Sequence, residues 1–323
     1  MYFIDYKKMY KYSKLIYAVA IFINVSSLFM GSTVNGKSYF YICGGIYFAP
    51  AVLTLPLYVI SFCGLIENIN QESNIKIKYL QDKTVNILEL TILSLISLIS
   101  LAPIPDLTSA GILCLTYLIL ATIKIVTIKQ NVARNILKLW TIFLGFALLF
   151  LLYEIGFDTP YRGEKITAFL HLESYTEGIG WLQMQRSIII NSSVTFGKAG
   201  DMSNIIDLID EGTNYAFISI LAHYGWIPSL IIAMIILACC VRLIIDAIKV
   251  KDNYGKLLII GLSSLFILQS IFNILMNLNL WIELNFNLPF VSYGAQNLII
   301  NILSLALILS VYRRKDIYLY ENV

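Results

Sequence analysis

Residues 216–241 read AFISILAHYGWIPSLIIAMIILACCV, a run without a single Asp, Glu, Lys or Arg. A membrane-crossing helix needs about 20 mostly apolar residues at a rise of about 1.5 Å each, and this run exceeds that. From Asn214 to Arg242 a continuous helix would span about 42 Å, which matches a bilayer with its headgroups. Asn214 is therefore expected at the outer headgroup level, and Pro228 is expected to kink the helix.

Seven further runs satisfy the same length rule: 15–32, 46–66, 85–103, 107–127, 137–156, 257–278 and 294–312. The chain of 323 residues is 58% hydrophobic and 13% charged, about half the charge of an ordinary soluble domain. A water-soluble globule of this composition would expose large apolar patches. The expected fold is therefore all-α: a polytopic membrane helix bundle of about 8 transmembrane helices, forming one integral membrane domain over 1–323. The basic start, MYFIDYKKMYKYSK, leads into an apolar run with no small-residue cleavage site, so the first span is expected to be retained. The partner implied by composition is the lipid bilayer. A net charge of +3 predicts no nucleic-acid partner. The five cysteines, Cys43, Cys63, Cys114, Cys239 and Cys240, form no CxxC pair, and the chain has two histidines. These counts predict small apolar packing residues, with no metal site and no cofactor.

Lys and Arg set the orientation of such a bundle. Lys37, Arg162, Lys165, Arg186 and Lys198 fall in one set of connections, and the other 18 of the 23 Lys and Arg fall in the opposite set. The richer set is expected to be cytoplasmic, and an even number of spans then puts both termini in the cytoplasm. The largest connection, 157–215, faces outside, and at nearly 60 residues it is far beyond ordinary loop length. Within it, Trp181 to Ile190 is apolar with Gln183, Gln185 and Arg186, and is suited to the membrane interface.

Polar residues inside the hydrocarbon must find partners. Gln269, Asn273 and Asn277 fall at i, i+4 and i+8 of the seventh span and make one stripe; Asn297 and Asn301 repeat the spacing in the eighth. Two readings are open: hydrogen-bond glue between helices, or a polar groove for a lipid-linked headgroup. His223 is read as a packing residue before a proton carrier.

Three stretches together resemble the FtsW/RodA/SpoVE (SEDS) family of bacterial cell shape, division and sporulation proteins. NLPFVSYGAQNLIINILSLALILSVYRR at 287–314 is similar to the family's carboxy-terminal signature, with LPFVSYG at 288–294 its most specific piece. PYRGEKITAFL at 160–170, followed by GIGWLQMQRS and FGKAG, resembles the start of its large extracellular loop. PDL at 105–107 resembles its PDLGT turn, and VNG at 34–36 its NG-containing first loop. The order and spacing agree over nearly the whole chain.

The resemblance implies a ten-helix membrane bundle in the bacterial cytoplasmic membrane. It implies a glycosyltransferase that polymerises lipid II into peptidoglycan together with a class B penicillin-binding protein. This chain departs from the pattern in several places. It starts at what would be the third family helix. The family's T-D-F motif, whose Asp is proposed as catalytic, aligns with Thr213, Asn214 and Tyr215, and an Asn amide cannot act as a general base. The Q-P-S-E-x-x-K motif aligns with APAVLTL at 49–55, so Val52 stands at its Glu position and Leu55 at its Lys position. A Pro and a Gly before the last span become Ile282 and Asn285.

Polymerisation needs a base for the acceptor hydroxyl and positive groups near the pyrophosphate. Candidate catalytic positions are Asn214, at the family's Asp position, and the neighbouring carboxylates Asp210 and Glu211 as replacement bases. Candidate substrate-binding residues are Arg162, Lys165, Gln185, Lys198, Asn273, Pro289, Ser292, Tyr293 and Gly294, with Arg186 a further cation. Three functions compete: a lipid II polymerase, weak or inactive through Asn214; a non-catalytic scaffold that binds a lipid-linked precursor or a penicillin-binding protein; and a lipid II flippase. The last lacks an ionisable stripe across the membrane to carry coupling protons.

Overall fold

The structure is a computed structural model. It describes residues 5–34, 37–42, 46–68, 76–101, 107–127, 134–135, 137–138, 140–142, 144–145, 167–171, 178–198, 212–283 and 286–315. Most described residues are helical. Helices α1 (Tyr6–Lys11), α2 (Ser13–Met30), α3 (Pro50–Asn68), α4 (Lys76–Leu101) and α5 (Leu107–Thr127) come first. They are followed by α6 (Trp181–Ser192), α7 (Ala216–Tyr224), α8 (Trp226–Ile248), α9 (Asn253–Asn277) and α10 (Ala295–Arg313). Among the described residues, five helices are long and apolar enough to cross a membrane: Pro50–Asn68, Thr108–Thr127, Trp226–Ile248, Asn253–Asn277 and Ala295–Arg313. Ser13–Ser27 and Glu89–Leu101 are shorter apolar helices at two more of the expected spans. The expected span 137–156 lies largely outside the described residues; those at 137–138, 140–142 and 144–145 are helical.

Two features differ from the expectation. The connection after the first span carries three short strands, β1 (Ser32–Val34), β2 (Lys37–Ile42) and β3 (Ile46–Phe48), paired antiparallel in the order β1-β2-β3. Val34 pairs with Lys37 across the sequence Asn-Gly, the strongest short hairpin signal.

The second difference concerns residues 216–241. They form two helices, not one, and the break is at Gly225 rather than Pro228. Gly225 has φ 85°, and a Cβ there would lie 2.6 Å from the carbonyl oxygen of Val194. Only glycine fits so close an approach at positive φ. The backbone N–H groups of Trp226 and Ile227 donate to the carbonyls of Val194 and Thr195 at 3.1 and 3.0 Å, and Gly197 N–H donates to Tyr224 O at 2.9 Å. Residues 194–197 therefore satisfy the backbone groups that the break exposes. Pro228 is the third residue of α8, in the first turn, where no intrahelical N–H is required.

The chain divides into two compact units. One comprises Met1–Leu149, Arg242–Leu265 and Ile302–Val323; the other comprises Phe150–Val241 and Phe266–Asn301. In the first unit α3 is the central element, with Tyr58, Val59, Cys63 and Ile66 at zero exposure. Buried hydroxyls and one amide tie its helices together. Thr54 Oγ1 donates to Asn24 Oδ1 at 3.0 Å, Asn24 Nδ2 donates to the Tyr58 hydroxyl at 3.0 Å, and that hydroxyl is 2.8 Å from Ser100 Oγ. Lys124 on α5 is buried and paired with Glu67 on α3, so this cation is closed within the protein. Cys63 and Cys114 are buried packing residues.

In the second unit the nine-residue α7 is enclosed: Phe217, Ile218 and Leu221 have no exposure. Its core joins Tyr215, Ile218, Leu221 and Ala222 to Ile189 of α6 and Met276 of α9.

Candidate functional site

The segment leading into α7 lies against α9 and the loop that follows it. Three successive carbonyls, of Gly212, Thr213 and Asn214, are each occupied from that side. Tyr293 N–H donates to Gly212 O at 2.6 Å, and Ser292 Oγ donates to Thr213 O at 2.6 Å. Asn273 Nδ2 and Asn277 Nδ2 both donate to Asn214 O, at 2.9 and 3.0 Å. Asn277 Oδ1 also accepts from the N–H of Ile218 in the first turn of α7, at 3.4 Å. The start of α7 is thus held by side-chain amides along one stripe of α9, as the i, i+4 spacing allows.

LPFVSYG folds as a tight turn. Val291 N–H and Ser292 N–H both donate to Leu288 O, at 3.2 and 2.9 Å, and Ser292 Oγ accepts from Leu288 N–H at 2.7 Å. Pro289 is buried at the second place of the turn, where its fixed φ suits it. Phe290 follows at φ 64°, an unusual conformation for a bulky residue, with its ring 5.4 Å from that of Phe266. Gly294 continues at φ 145°, which glycine tolerates. Tyr293 is 80% exposed while Ser292 is buried, so the turn buries its hydroxyl anchor and presents a phenol outward.

Beside this junction lies a buried ionic cluster. Arg186 on α6 is 1% exposed, and its Nε donates to Asn279 Oδ1 at 2.8 Å. Its Nη1 lies 3.9 Å from Glu283 Oε2, and the guanidinium sits 5.3 Å over the ring of Tyr215. Asn279, at φ 56°, returns its amide to Gln183 O at 3.0 Å and Ser187 Oγ at 2.8 Å. Burial pushes the Tyr215 phenol above its ordinary pKa, and the charge of Glu283 adds to the rise while Arg186 opposes it.

The expected site residues therefore fall into groups. Asn214, Asn273, Pro289, Ser292, Tyr293 and Gly294 come together at this junction. Asn273 is fully buried, and its amide nitrogen is engaged by Asn214 O and, at 2.5 Å, by Phe286 O. Its oxygen accepts from Asn277 at 3.1 Å. Asn273 is therefore hydrogen-bond glue that fixes the backbone, and not the wall of a groove. Arg186 is likewise turned inward, away from any solvent-facing role. Gln185 is half-buried on α6 and Lys198 is exposed after residues 194–197; among the described residues neither is hydrogen-bonded to the junction. Arg162, Lys165, Asp210 and Glu211 lie outside the described residues. His223 turns back on its own helix, with Nδ1 2.9 Å from Ser219 O. Val52 and Leu55 are both on α3, and Leu55 is buried, so an apolar side chain fills the place aligned with the family's Lys.

The reading of the sequence missed Tyr215, Asn279 and Glu283. Glu283 was the available signal: a lone carboxylate between two spans, with Arg162 and Arg186 in the large outer connection to meet it. Chemically, the junction offers backbone rigidity, an exposed phenol and an amide at position 214. An amide donates and accepts hydrogen bonds but takes no proton near neutral pH.

A family model described as FTSW_RODA_SPOVE, cell cycle protein, matches residues 1–317. A relative named "Probable peptidoglycan glycosyltransferase FtsW" from Trichlorobacter lovleyi is 25% identical over 167 residues, 51% of this chain and 44% of the relative. Stage V sporulation protein E of Bacillus subtilis is 25% identical over 174 residues, 53% of this chain and 48% of the relative. The chain thus spans less than half the length of these two curated relatives. Among solved structures, a chain from "Structural coordination of polymerization and crosslinking by a peptidoglycan synthase complex" superposes with a TM-score of 0.72 at 18% identity, covering 97% of this chain and 84% of that one. The rod shape determining protein RodA of Thermus thermophilus gives 0.65 at 15% identity, covering 97% and 82%. At these identities the structures establish the fold alone.

Proposed function

The chain belongs to the FtsW/RodA/SpoVE family, and from that premise we propose that it binds lipid II at the Asn214–Tyr293 junction and polymerises it weakly or not at all. One observation carries the reading. Position 214, where the family has a carboxylate, carries an amide, and its backbone is fixed at the mouth of α7 by bonds from Asn273, Asn277, Ser292 and Tyr293 to the carbonyls of residues 212–214. The placement favours an oriented substrate, while the missing proton acceptor disfavours activation of the acceptor hydroxyl.

Lys198, Arg162 and Lys165 are the cations assigned to the pyrophosphate, Gln185 a polar contact to the substrate, and Asp210 and Glu211 the rival bases. The junction faces the outer leaflet, both termini lie in the cytoplasm, and a class B penicillin-binding protein is the partner. This orientation rests on the 18-to-5 distribution of Lys and Arg. A chain that cannot polymerise would serve the same assembly as a scaffold.

The test is lipid II polymerisation by the purified protein, with and without its penicillin-binding partner. Wild type should form little or no glycan strand, and Asn214→Asp should raise the rate. General-base assistance is worth about 10²–10⁴-fold, so a rescue of that kind is easily seen. Robust wild-type activity that Asp210→Asn or Glu211→Gln abolishes would overturn the reading.

A further inference from the structure

In the first unit, the short helix α1 is fastened to the bundle. Tyr6 is fully buried and stacks on Tyr254 with ring centroids 6.2 Å apart; Tyr10 approaches the same ring at 5.1 Å. The Tyr10 hydroxyl donates to Asn68 Oδ1 at 2.6 Å. Arg314 Nη1 lies 3.0 Å from Asp5 Oδ1, and the same oxygen caps α1 by accepting from Lys7 N–H at 3.0 Å. The outward side of α1 therefore has a fixed position, and it carries Lys8 and Lys11, both exposed.

A single residue, Tyr12 at φ −100° and ψ 17°, joins α1 to α2. Tyr12 N–H donates to Lys8 O at 3.0 Å, and Ile16 N–H to Tyr12 O at 2.9 Å. Steps of three and four residues then lead from Lys8 through Lys11, Leu15 and Val19 to Phe22 along one face. Leu15 is 61% exposed, Val19 46% and Phe22 73%. From Leu15 to Phe22, within α2, the helix rises about 11 Å, inside the hydrocarbon depth of one leaflet, about 15 Å.

We propose that this face binds an anionic phospholipid, with its phosphate held between Lys8 and Lys11 and an acyl chain lying along Leu15, Val19 and Phe22. The charges name the occupant. Two ammonium groups at i and i+3 repel unless an anion is shared between them. Lys14, the next lysine, is already paired with Glu89 at 2.6 Å, whereas among the described residues neither Lys8 nor Lys11 has a carboxylate partner. Lys11 Nζ also lies 5.8 Å from the ring of Tyr12, which is half exposed at headgroup level, where aromatic rings gather. A zwitterionic lipid brings its own cation to the site and gains less from these two lysines.

The test uses the full purified chain in detergent, titrated with phosphatidylglycerol or phosphatidylcholine and read by native mass spectrometry. Phosphatidylglycerol should be retained preferentially. Lysines at a membrane surface are worth about 1 kcal/mol each, so Lys8→Gln or Lys11→Gln should weaken retention about fivefold and the double variant about thirtyfold. Lys251→Gln, at an exposed lysine off this face, should leave it unchanged. The single variants keep the test decisive if the double variant misfolds. Equal retention of the two lipids, or phosphatidylglycerol retention indifferent to both single variants, would overturn the proposal. Full displacement by millimolar inorganic phosphate would assign a free-phosphate site instead. A lipid-free dimer that Phe22→Ala dissolves would assign the face to a second copy.

Discussion

The side-chain amide of Asn273 donates to the backbone carbonyl of Asn214, 59 residues earlier in the chain, at 2.9 Å. A residue in the last turns of α9 thereby fixes the backbone at the position aligned with the family's carboxylate, where α7 begins. The same nitrogen holds Phe286 O, so one amide fastens both the entrance to α7 and the approach to LPFVSYG.

Removing that amide should loosen both. Asn273→Ala leaves the buried Phe286 carbonyl without this donor, at a cost of about 1–3 kcal/mol. The expected fall in melting temperature is roughly 2–10 °C, followed by tryptophan fluorescence in detergent. Asn277→Ala should cost less, because Asn273 still holds Asn214 O. Equal melting of the two variants would contradict this division of labour.

Two glycines should respond oppositely to alanine. At Gly225 the new Cβ meets Val194 O at 2.6 Å and must adopt φ 85°, so Gly225→Ala should destabilise by several kcal/mol and separate 194–197 from the α7–α8 joint. At Gly111, inside α5, nothing lies within 4 Å of the new atom. Gly111→Ala should be neutral or stabilising by about 0.5–1 kcal/mol. Thermal melts of the pair check both signs.

Arg186 should resist replacement even by lysine. Arg186→Ala removes the cation beside Glu283 and empties the space over Tyr215, an effect on the order of 3–5 kcal/mol for a broken buried pair. Arg186→Lys keeps the charge but loses the fork that reaches Asn279 and Glu283 together, so it should recover only part of the loss. Melting temperatures in the order wild type, Arg186→Lys, Arg186→Ala are expected.

The orientation can be read by labelling. In a background without native cysteines, Lys198→Cys should react in intact cells with an impermeant maleimide, and Lys251→Cys should react only after lysis. The reverse pattern would invert the topology and move the junction to the cytoplasmic side.

Hydrophobic run length and charge distribution made the helical membrane class legible in the sequence, because a span needs only local chemistry: enough apolar residues to cover the bilayer. LPFVSYG, FGKAG and the Thr213–Tyr215 alignment located one end of the bundle by resemblance, and the structure brings LPFVSYG to 212–214 through hydrogen bonds of 2.6 Å. The i, i+4 asparagine stripe was visible as well, but its partners were not. Whether an amide faces a groove or a backbone carbonyl depends on what packs beside it, and spacing carries no such information. The break at Gly225 was hidden for the same reason. Proline announces itself within one helix, whereas a glycine is required only where another strand of chain, here Val194, comes within touching distance. The Arg186–Glu283–Asn279 cluster likewise joins residues more than 90 positions apart. Local sequence made the helical membrane class legible; tertiary contacts alone decided which polar groups are left to meet a substrate, because burying each one demands a partner that only the folded chain supplies.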